Sequence, residues 1–410
     1  MDKKIIAVIL VVAVIAVAAV AIVMTSNSPS NPESKDLNIV GRVNSEGSGI
    51  LLNPDVDPTT MITVEDKNPG YGSVCRYDPD TGKYYVFHKE GWIGKVIATP
   101  GTSTIQHVQL AELAKDMGLT FKSYSSSTEE PNTLYYVANV GTFADYVNVA
   151  KTSPVKGFII WEAQYSIGLE NGYTGLATTN NLFHDHTCCI IGSSVKYMEN
   201  NKDAFLAFLN VYTKAVDKIN AALANKSSAD YKSLVDIAVK RVTMPDSMTD
   251  AQKKEAIENA LVNVTYLYAD DSTGALTNLK EDVGDLAKSL YQSGAIDYSA
   301  LDLGFSGYIA LGEKFVNDKY MKDAIAGKYS KLDSQKTIRV AAIKGDIHQI
   351  ALWFAIDTGM FDGTNLKVEV SQQTNGPGVF MQLSNGESDV GFLGAPPMTI
   401  RTMNAKLITP

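Results

Sequence analysis

The chain has 410 residues, 45% of them hydrophobic and 20% charged, with 31 Gly and 14 Pro. That composition is ordinary for a globular protein of two or three domains and excludes a fibrous repeat, wholesale disorder and a peptide-sized scaffold. Lys plus Arg total 36 against 45 Asp plus Glu, a formal charge of -9, which argues against nucleic acid as a partner; three cysteines cannot build a disulfide framework, so stability must come from packing.

After Asp2, Lys3 and Lys4 comes an unbroken apolar run from Ile5 to Met24, which as a helix would span roughly 30 Å, the thickness of a bilayer core. The lysines before it hold the N-terminus in the cytoplasm, so residues 1–24 are expected to be a single-pass anchor with the body extracytoplasmic. A cleaved secretory signal is the alternative; the length of the run and the absence of a clear small-residue cleavage site favour the anchor. Residues 25–35, TSNSPSNPESK, are polar and Pro-broken, as suits a tether. No later apolar run approaches the length of a span. Asn225-Lys-Ser227 and Asn263-Val-Thr265 match the N-glycosylation triplet, which is frequent by chance.

Along the body, Leu37 to Val43 reads as a strand and Asn44 to Gly49 as a turn-rich stretch. Residues 66–91 read as an irregular hairpin insert turning at Asp78 to Gly82. Lys95 to Thr99 is a strand leading through Pro100-Gly-Thr-Ser-Thr104 into a helix with Ile105, Val108, Leu110 and Leu113 on one side. Leu134 to Val137, and Gly157 to Trp161 with a helix near Tyr165, repeat that α/β unit. From about 196 to 330 the pattern is helical: Phe205, Phe208, Leu209, Tyr212, Val216 and Ile219 recur at three and four, a core stripe rather than a cofactor box, and Thr249 to Gln252 is a capping box. Lys331 to Lys336 is a polar joint. Beyond it, strands at Ile338 to Ile343, Leu366 to Val370 and Asp389 to Leu393 alternate with helices opening at Gly345 to His348 and at Asn375 to Gly378. Such βαβαβ alternation implies a parallel sheet with ligand-facing loops at the carboxyl ends of its strands.

Ile338 to Gly345 with Leu352 to Phe361, then Asn375-Gly-Pro and Gly386-Glu-Ser-Asp-Val-Gly391, resemble the opening of solute-binding proteins of ABC transporters in the nitrate, sulfonate and taurine class. Gly94 to Ser103, the Trp161-Glu162 pair and Cys188-Cys-Ile-Ile191 resemble that family's later half, yet here they come first. Joining Thr409-Pro410 to Asp36-Leu37 would restore the family order, so the chain reads as a circular permutation, a rearrangement tolerated where ends are close and exposed. A fusion of two truncated fragments is the alternative, disfavoured because the complement of segments is complete. The resemblance implies an α/β, two-lobed periplasmic-binding-protein-like (type II) fold with mixed, mainly parallel sheets. Lobe one would be residues 36–90 plus 190–410 and lobe two residues 91–189. It further implies closure on a small-molecule solute and presentation to ABC permease and ATPase subunits.

Ligand contact is expected from Thr102, Ser103 and Thr104, at a helix start that either favours an anion or is merely capped by its hydroxyls. The turns carrying Asn44, Ser45 and Glu46, Asp346 and His348, Asn375 and Gly376, and Gly394 and Ala395 would face it. Trp161 and Glu162 offer an aromatic face and a carboxylate suited to a cationic or ring-bearing solute. No arginine lies in these turns, which disfavours a strictly anionic solute, since a bidentate guanidinium is the strongest common clamp for one; Asp346, Glu46 and Glu162 leave room for a zwitterion or an amine-bearing heterocycle. His184-Asp-His186 is read as a polar turn rather than a metal site, and Cys188 and Cys189 as buried inert thiols. No metal, cofactor or catalytic residue is expected. Enzymes of the same fold, of the pyrimidine-precursor or menaquinone-pathway type, and a tethered sensory ectodomain are the alternatives. The export signal and the lack of a Ser-His-Asp or nucleotide constellation favour a receptor.

Overall fold

The computed structural model describes residues 36–126 and 130–410. The expected anchor and tether lie outside the described residues; among those described, no helix is long and apolar enough to cross a membrane. The architecture is mixed α/β, with two six-stranded sheets and one of three strands.

Strand β1 (Leu37–Glu46) is buried along its whole length: Leu37, Ile39, Val40 and Val43 supply its apolar part, and its buried polar side chains are hydrogen-bonded or ion-paired. Its one arginine, Arg42, is 1% exposed and reaches Asp270 and Asp282, each at 3.1 Å. Glu46 and Gly47 both adopt positive φ, 64° and 82°, and turn the chain straight into β2 (Ser48–Leu52). The expected turn at Asn44 to Gly49 is therefore the end of one strand and the start of the next. Polar residues survive there because their side chains serve buried groups: Ser45 Oγ accepts from Arg42 at 3.0 Å, and Asn44 Nδ2 donates to the Glu46 carbonyl at 2.9 Å.

The insert is a three-stranded antiparallel sheet of β3 (Ile62–Glu65), β4 (Cys75–Asp78) and β5 (Lys83–Phe87). The Asp78 carboxylate makes the β4–β5 turn, accepting from the Asp80 amide at 3.0 Å and the Thr81 hydroxyl at 2.6 Å. Next come β6 (Val96–Ala98), α1 (Ile105–Asp116), β7 (Thr120–Ser123), β8 (Thr133–Val137), β9 (Val155–Trp161), α2 (Gln164–Glu170) and β10 (Thr174–Thr178). With β2 these strands form one sheet in the order β10-β2-β9-β6-β8-β7.

The chain then returns through β11 (Thr187–Ser194) to the sheet of β1. Helix α3 (Lys202–Ala224) buries the expected aromatic stripe: Phe208 stacks on Phe361 with ring centroids 5.7 Å apart, and Tyr212 meets Phe392 edge-on at 5.2 Å. Helix α4 (Asp250–Val262) opens on the capping box of Thr249 and Gln252, and β12 (Val264–Tyr266) follows at the sheet edge. Three residues are too few for strand periodicity to register, so β12 was not expected. Helix α5 (Thr277–Gln292) precedes β13 (Lys336–Ile343), α6 (Ile350–Asp357), β14 (Leu366–Gln373), α7 (Gly376–Ser384), β15 (Val390–Gly394) and α8 (Ala395–Asn404). The first sheet runs β12-β1-β11-β15-β13-β14.

Two expectations are corrected. Residues 48–90 stand with the second sheet, not the first: Met61, Ile62, Phe87 and Trp92 share a buried cluster with Ile97 and Leu110, and the Trp92 indole donates to the Met61 carbonyl at 3.0 Å. The sheets are mixed rather than mainly parallel. β13 runs parallel to both β14 and β15, but β11 is antiparallel to β1 and β15, and β2 is antiparallel to β9 and β10. The two chain crossings, β1 to β2 and β10 to β11, feed strands into each sheet against the βαβ direction. The C-terminal strands share a sheet with Leu37 to Val43, joined to it through the antiparallel β11 rather than in one parallel sheet. The ends also meet: the Leu37 amide donates to the Leu407 carbonyl at 2.8 Å, and the Thr409 hydroxyl bonds Asp36.

Candidate functional site

A cavity of about 380 Å³ lies between the two six-stranded sheets. Its walls are the segments that leave the carboxyl ends of parallel strands: Pro100 to Gln106 after β6, Asn139 after β8, Trp161 at the end of β9, Asp346 and His348 after β13, Asn375 to Pro377 after β14, and Gly394 with Pro397 at the end of β15. Strand ends of this kind are where helix N-termini and irregular backbone gather, leaving amides and short polar side chains to face a ligand.

Nine of the expected residues meet there: Thr102, Ser103, Thr104, Trp161, Asp346, His348, Asn375, Gly376 and Gly394. Thr104 caps α1, its hydroxyl accepting from the His107 amide at 3.4 Å and donating to the Gly101 carbonyl at 2.8 Å. Asn375 caps α7, accepting from the Gly378 amide at 3.0 Å. Gly394 caps α8. Three helix starts therefore converge on one cavity, each with a positive dipole end. Gly376 is required by close packing: a Cβ there would stand 2.8 Å from Pro397 Cγ.

Five expected residues do not line the cavity. Asn44 and Ser45 are spent inside β1. Glu46 accepts from the Asp185 amide at 2.8 Å and the Thr265 hydroxyl at 3.2 Å, pinning the β10–β11 connection; burial raises its pKa against those bonds. Glu162 is buried and accepts from Ser166 and from Asn263 Nδ2 at 2.7 Å. Burial raises its pKa against those bonds as well. Ala395 is wholly buried and faces a neighbouring cavity with Phe183 and Asp282. Of the two glycosylation triplets, Asn263 is thus tied to Glu162, while Asn225 is exposed.

The reading of the turns missed Arg401, which lines the cavity from α8 and whose buried Nε has no partner among the described residues. It lies one helical turn beyond Pro397, on the same face. The signal was available: a helix opened by Gly394-Ala-Pro-Pro397 puts Arg401 above the cleft. Glu46 and Glu162 therefore hold their carboxylates outside the cavity lining, whereas Arg401 belongs to it.

At the cavity floor, His348 is 2% exposed. Its Nδ1 is 3.1 Å from Asp346 Oδ1 and its Nε2 is 2.9 Å from the Gly47 carbonyl. Burial pulls its pKa down, but the Asp346 carboxylate and the Gly47 carbonyl outweigh it and push it up to about 10. The Asp346 charge is therefore already paired. Cys188 and Cys189 stand beside it, their sulfurs 3.9 Å apart, with Cys189 Sγ 3.9 Å from His348 Nδ1. His184-Asp-His186 brings no pair of imidazoles together. His184 Nδ1 bonds Asn180 at 3.1 Å, whereas His186 donates to the Phe183 carbonyl at 2.8 Å from a buried position.

His107 on α1 lies between Tyr136 (ring centroids 4.6 Å) and Phe121 (5.2 Å), and burial pulls its pKa down to about 4. The unfolded chain takes up this proton near pH 6.5 and the folded chain only near 4, so stability from the neutral ring is complete above 6.5 and falls as pH drops through that window. The melting temperature of the His107→Gln variant is expected to vary less between pH 6.5 and 4 than that of wild type. Parallel curves would remove His107 from the acid response.

Comparison with protein-family models, with curated proteins and with solved structures finds no match to the chain.

Proposed function

We propose that this chain is the extracytoplasmic solute-binding receptor of an ABC importer, a circularly permuted type II binding protein held to the membrane by the apolar run of residues 5–24. Lobe one would comprise residues 36–46 and 187–410, lobe two residues 48–178. The two crossings at Gly47 and at residues 179–186 would serve as hinges for closure. The observation that carries the reading is the cavity itself, which lies between two sheets at the carboxyl ends of strands from both. The contact of Asp36 and Leu37 with Leu407 and Thr409 supports the permutation, because ends so joined recover the family order.

The solute class that fits is a small anion carrying an apolar or ring portion. Arg401 and the starts of α1, α7 and α8 would hold the charged group, with Trp161 against the rest. Micromolar capture corresponds to about 8 kcal/mol, within reach of a few charge-assisted hydrogen bonds and one buried ring. Calorimetry of the full chain against taurine, other alkanesulfonates, nitrate, bicarbonate and thiamine precursors is expected to find a binder. Arg401→Gln should weaken its binding roughly 10- to 100-fold, the loss of a charge-assisted bond of 1.5–3 kcal/mol, and Trp161→Ala should weaken it as well. The reading fails if no member of the panel binds, or if both variants match wild type.

A further inference from the structure

We propose that Cys188, Cys189 and His348 form a binding site for a thiophilic divalent cation of the zinc class, with Asp346 at its edge. The inference rests on this cluster alone and is independent of the importer reading.

Successive side chains of a regular strand point to opposite faces, so neighbouring cysteines should diverge. These two converge because β11 carries a bulge. Asn44 of β1 pairs with Cys189 and Ser45 with Thr187, which leaves Cys188 as the additional residue. A bulge of this kind re-aims a side chain. Asn44 holds it in place: its Oδ1 accepts from the Cys189 amide at 3.2 Å while its Nδ2 is anchored on the Glu46 carbonyl at 2.9 Å. Packing alone asks for no such arrangement, since a single buried thiol is a small hydrophobe on either face.

His348 completes the donor set. A carbonyl only accepts, so Nε2–H donates to Gly47 at 2.9 Å, and Nδ1, which faces Asp346 Oδ1 at 3.1 Å, is the nitrogen on the thiol side, 3.9 Å from Cys189 Sγ. A metal-bound imidazole is oriented in this way, its far N–H given to a backbone carbonyl. The sulfur and nitrogen donor atoms all lie within 4.8 Å of one another, and the two sulfurs 3.9 Å apart. Two thiolates sharing a tetrahedral zinc at ~2.3 Å stand ~3.8 Å apart, so ligation requires little movement. All three residues and Asp346 border the cavity, which provides an entry path and room for a carboxylate or a water as the fourth ligand. Two sulfurs and an imidazole select zinc, cadmium or cobalt over magnesium or calcium. Loading exchanges the thiol protons and the Nδ1 proton for the cation, so that the two thiolates balance its charge. A second cluster, Asp78, Asp80 and His184, lacks sulfur, and its Asp78 is engaged by Thr81 and Asn181; it serves as a control.

The test uses the full chain in detergent, kept reduced, with Zn²⁺ and Co²⁺ as probes. One ion per chain is expected, and the cobalt form should show thiolate-to-cobalt charge transfer in the near ultraviolet. Cys188→Ser, Cys189→Ser and His348→Gln should each weaken zinc binding at least 100-fold, and Asn44→Ala roughly 10- to 100-fold as a supporting residue, whereas Cys75→Ser and His184→Ala should bind as wild type. X-ray absorption at the zinc edge of the wild-type chain, which needs no variant to fold, should count two sulfur ligands. The proposal is overturned by no zinc retained in the reduced wild type, by an absorption spectrum without sulfur, or by a charge-transfer band that survives in the Cys188→Ser/Cys189→Ser double variant.

Discussion

Replacing Gly47 with alanine is expected to lower the unfolding free energy by roughly 2–5 kcal/mol, from the sum of a left-handed backbone penalty of roughly 1–2 kcal/mol and an overpacking cost of roughly 1–3 kcal/mol. Gly47 is the single residue between β1 and β2, at φ 82°. A Cβ there would stand 2.5 Å from His348 Nε2 and 2.8 Å from Val264 Cγ2. The imidazole cannot move aside freely, because that nitrogen bonds Gly47's own carbonyl and the other faces Asp346. Gly47 also accepts from the Glu162 amide at 2.8 Å, so the same residue ties the first sheet's floor to the end of β9. Gly70→Ala provides the internal control, since φ there is 90° but nothing lies within 4 Å of the new methyl; it should show the backbone penalty alone. Urea denaturation of both variants measures the difference, and equal losses would mean that the crossing tolerates a side chain.

The second large effect concerns Arg42. Its guanidinium is buried between Asp270 and Asp282, and Arg42→Met would leave the Asp270 carboxylate, 6% exposed, without its counter-charge. Removing one partner of a buried pair costs roughly 3–5 kcal/mol, chiefly because the other charge stays desolvated. Asp270 retains the Asn278 amide at 2.7 Å, which places the expected loss at the lower end, about 3 kcal/mol. Combining Arg42→Met with Asp270→Asn should restore part of the loss, because the stranded charge is gone. If the double variant is less stable than Arg42→Met by the full cost of Asp270→Asn alone, the two side chains are not coupled and the pair is not what stabilises this end of β1.

Much of the fold was legible from periodicity and turn chemistry. The strands at 338–343, 366–370 and 389–393, the cap at Asn375, the capping box at Thr249 and the α3 stripe are local signals that survive folding unchanged, since each is set by residues within one or two turns of itself. The misread stretch is instructive. Asn44 to Gly49 has turn composition, yet Ser45 is taken up by Arg42 on the same strand and Asn44 and Glu46 by the tertiary partners Cys189 and the β10–β11 connection, so it remains in two strands. Glu46 and Glu162 read as cleft carboxylates for the same reason: a strand end announces where a side chain starts, not which way a neighbouring sheet lets it face.

Sequence by itself determined the alternation of elements, the positions of the Gly-rich turns and the residues that would gather at the carboxyl ends of strands, because those follow from propensity and short-range hydrogen bonding. Only the tertiary structure decided which sheet each strand joins, that Arg401 turns into the cavity while Glu162 turns away, and that two adjacent cysteines share one side of β11. These depend on register, on a bulge and on contacts between residues as far apart as Gly47 and His348, a distance along the chain at which local preference carries no information.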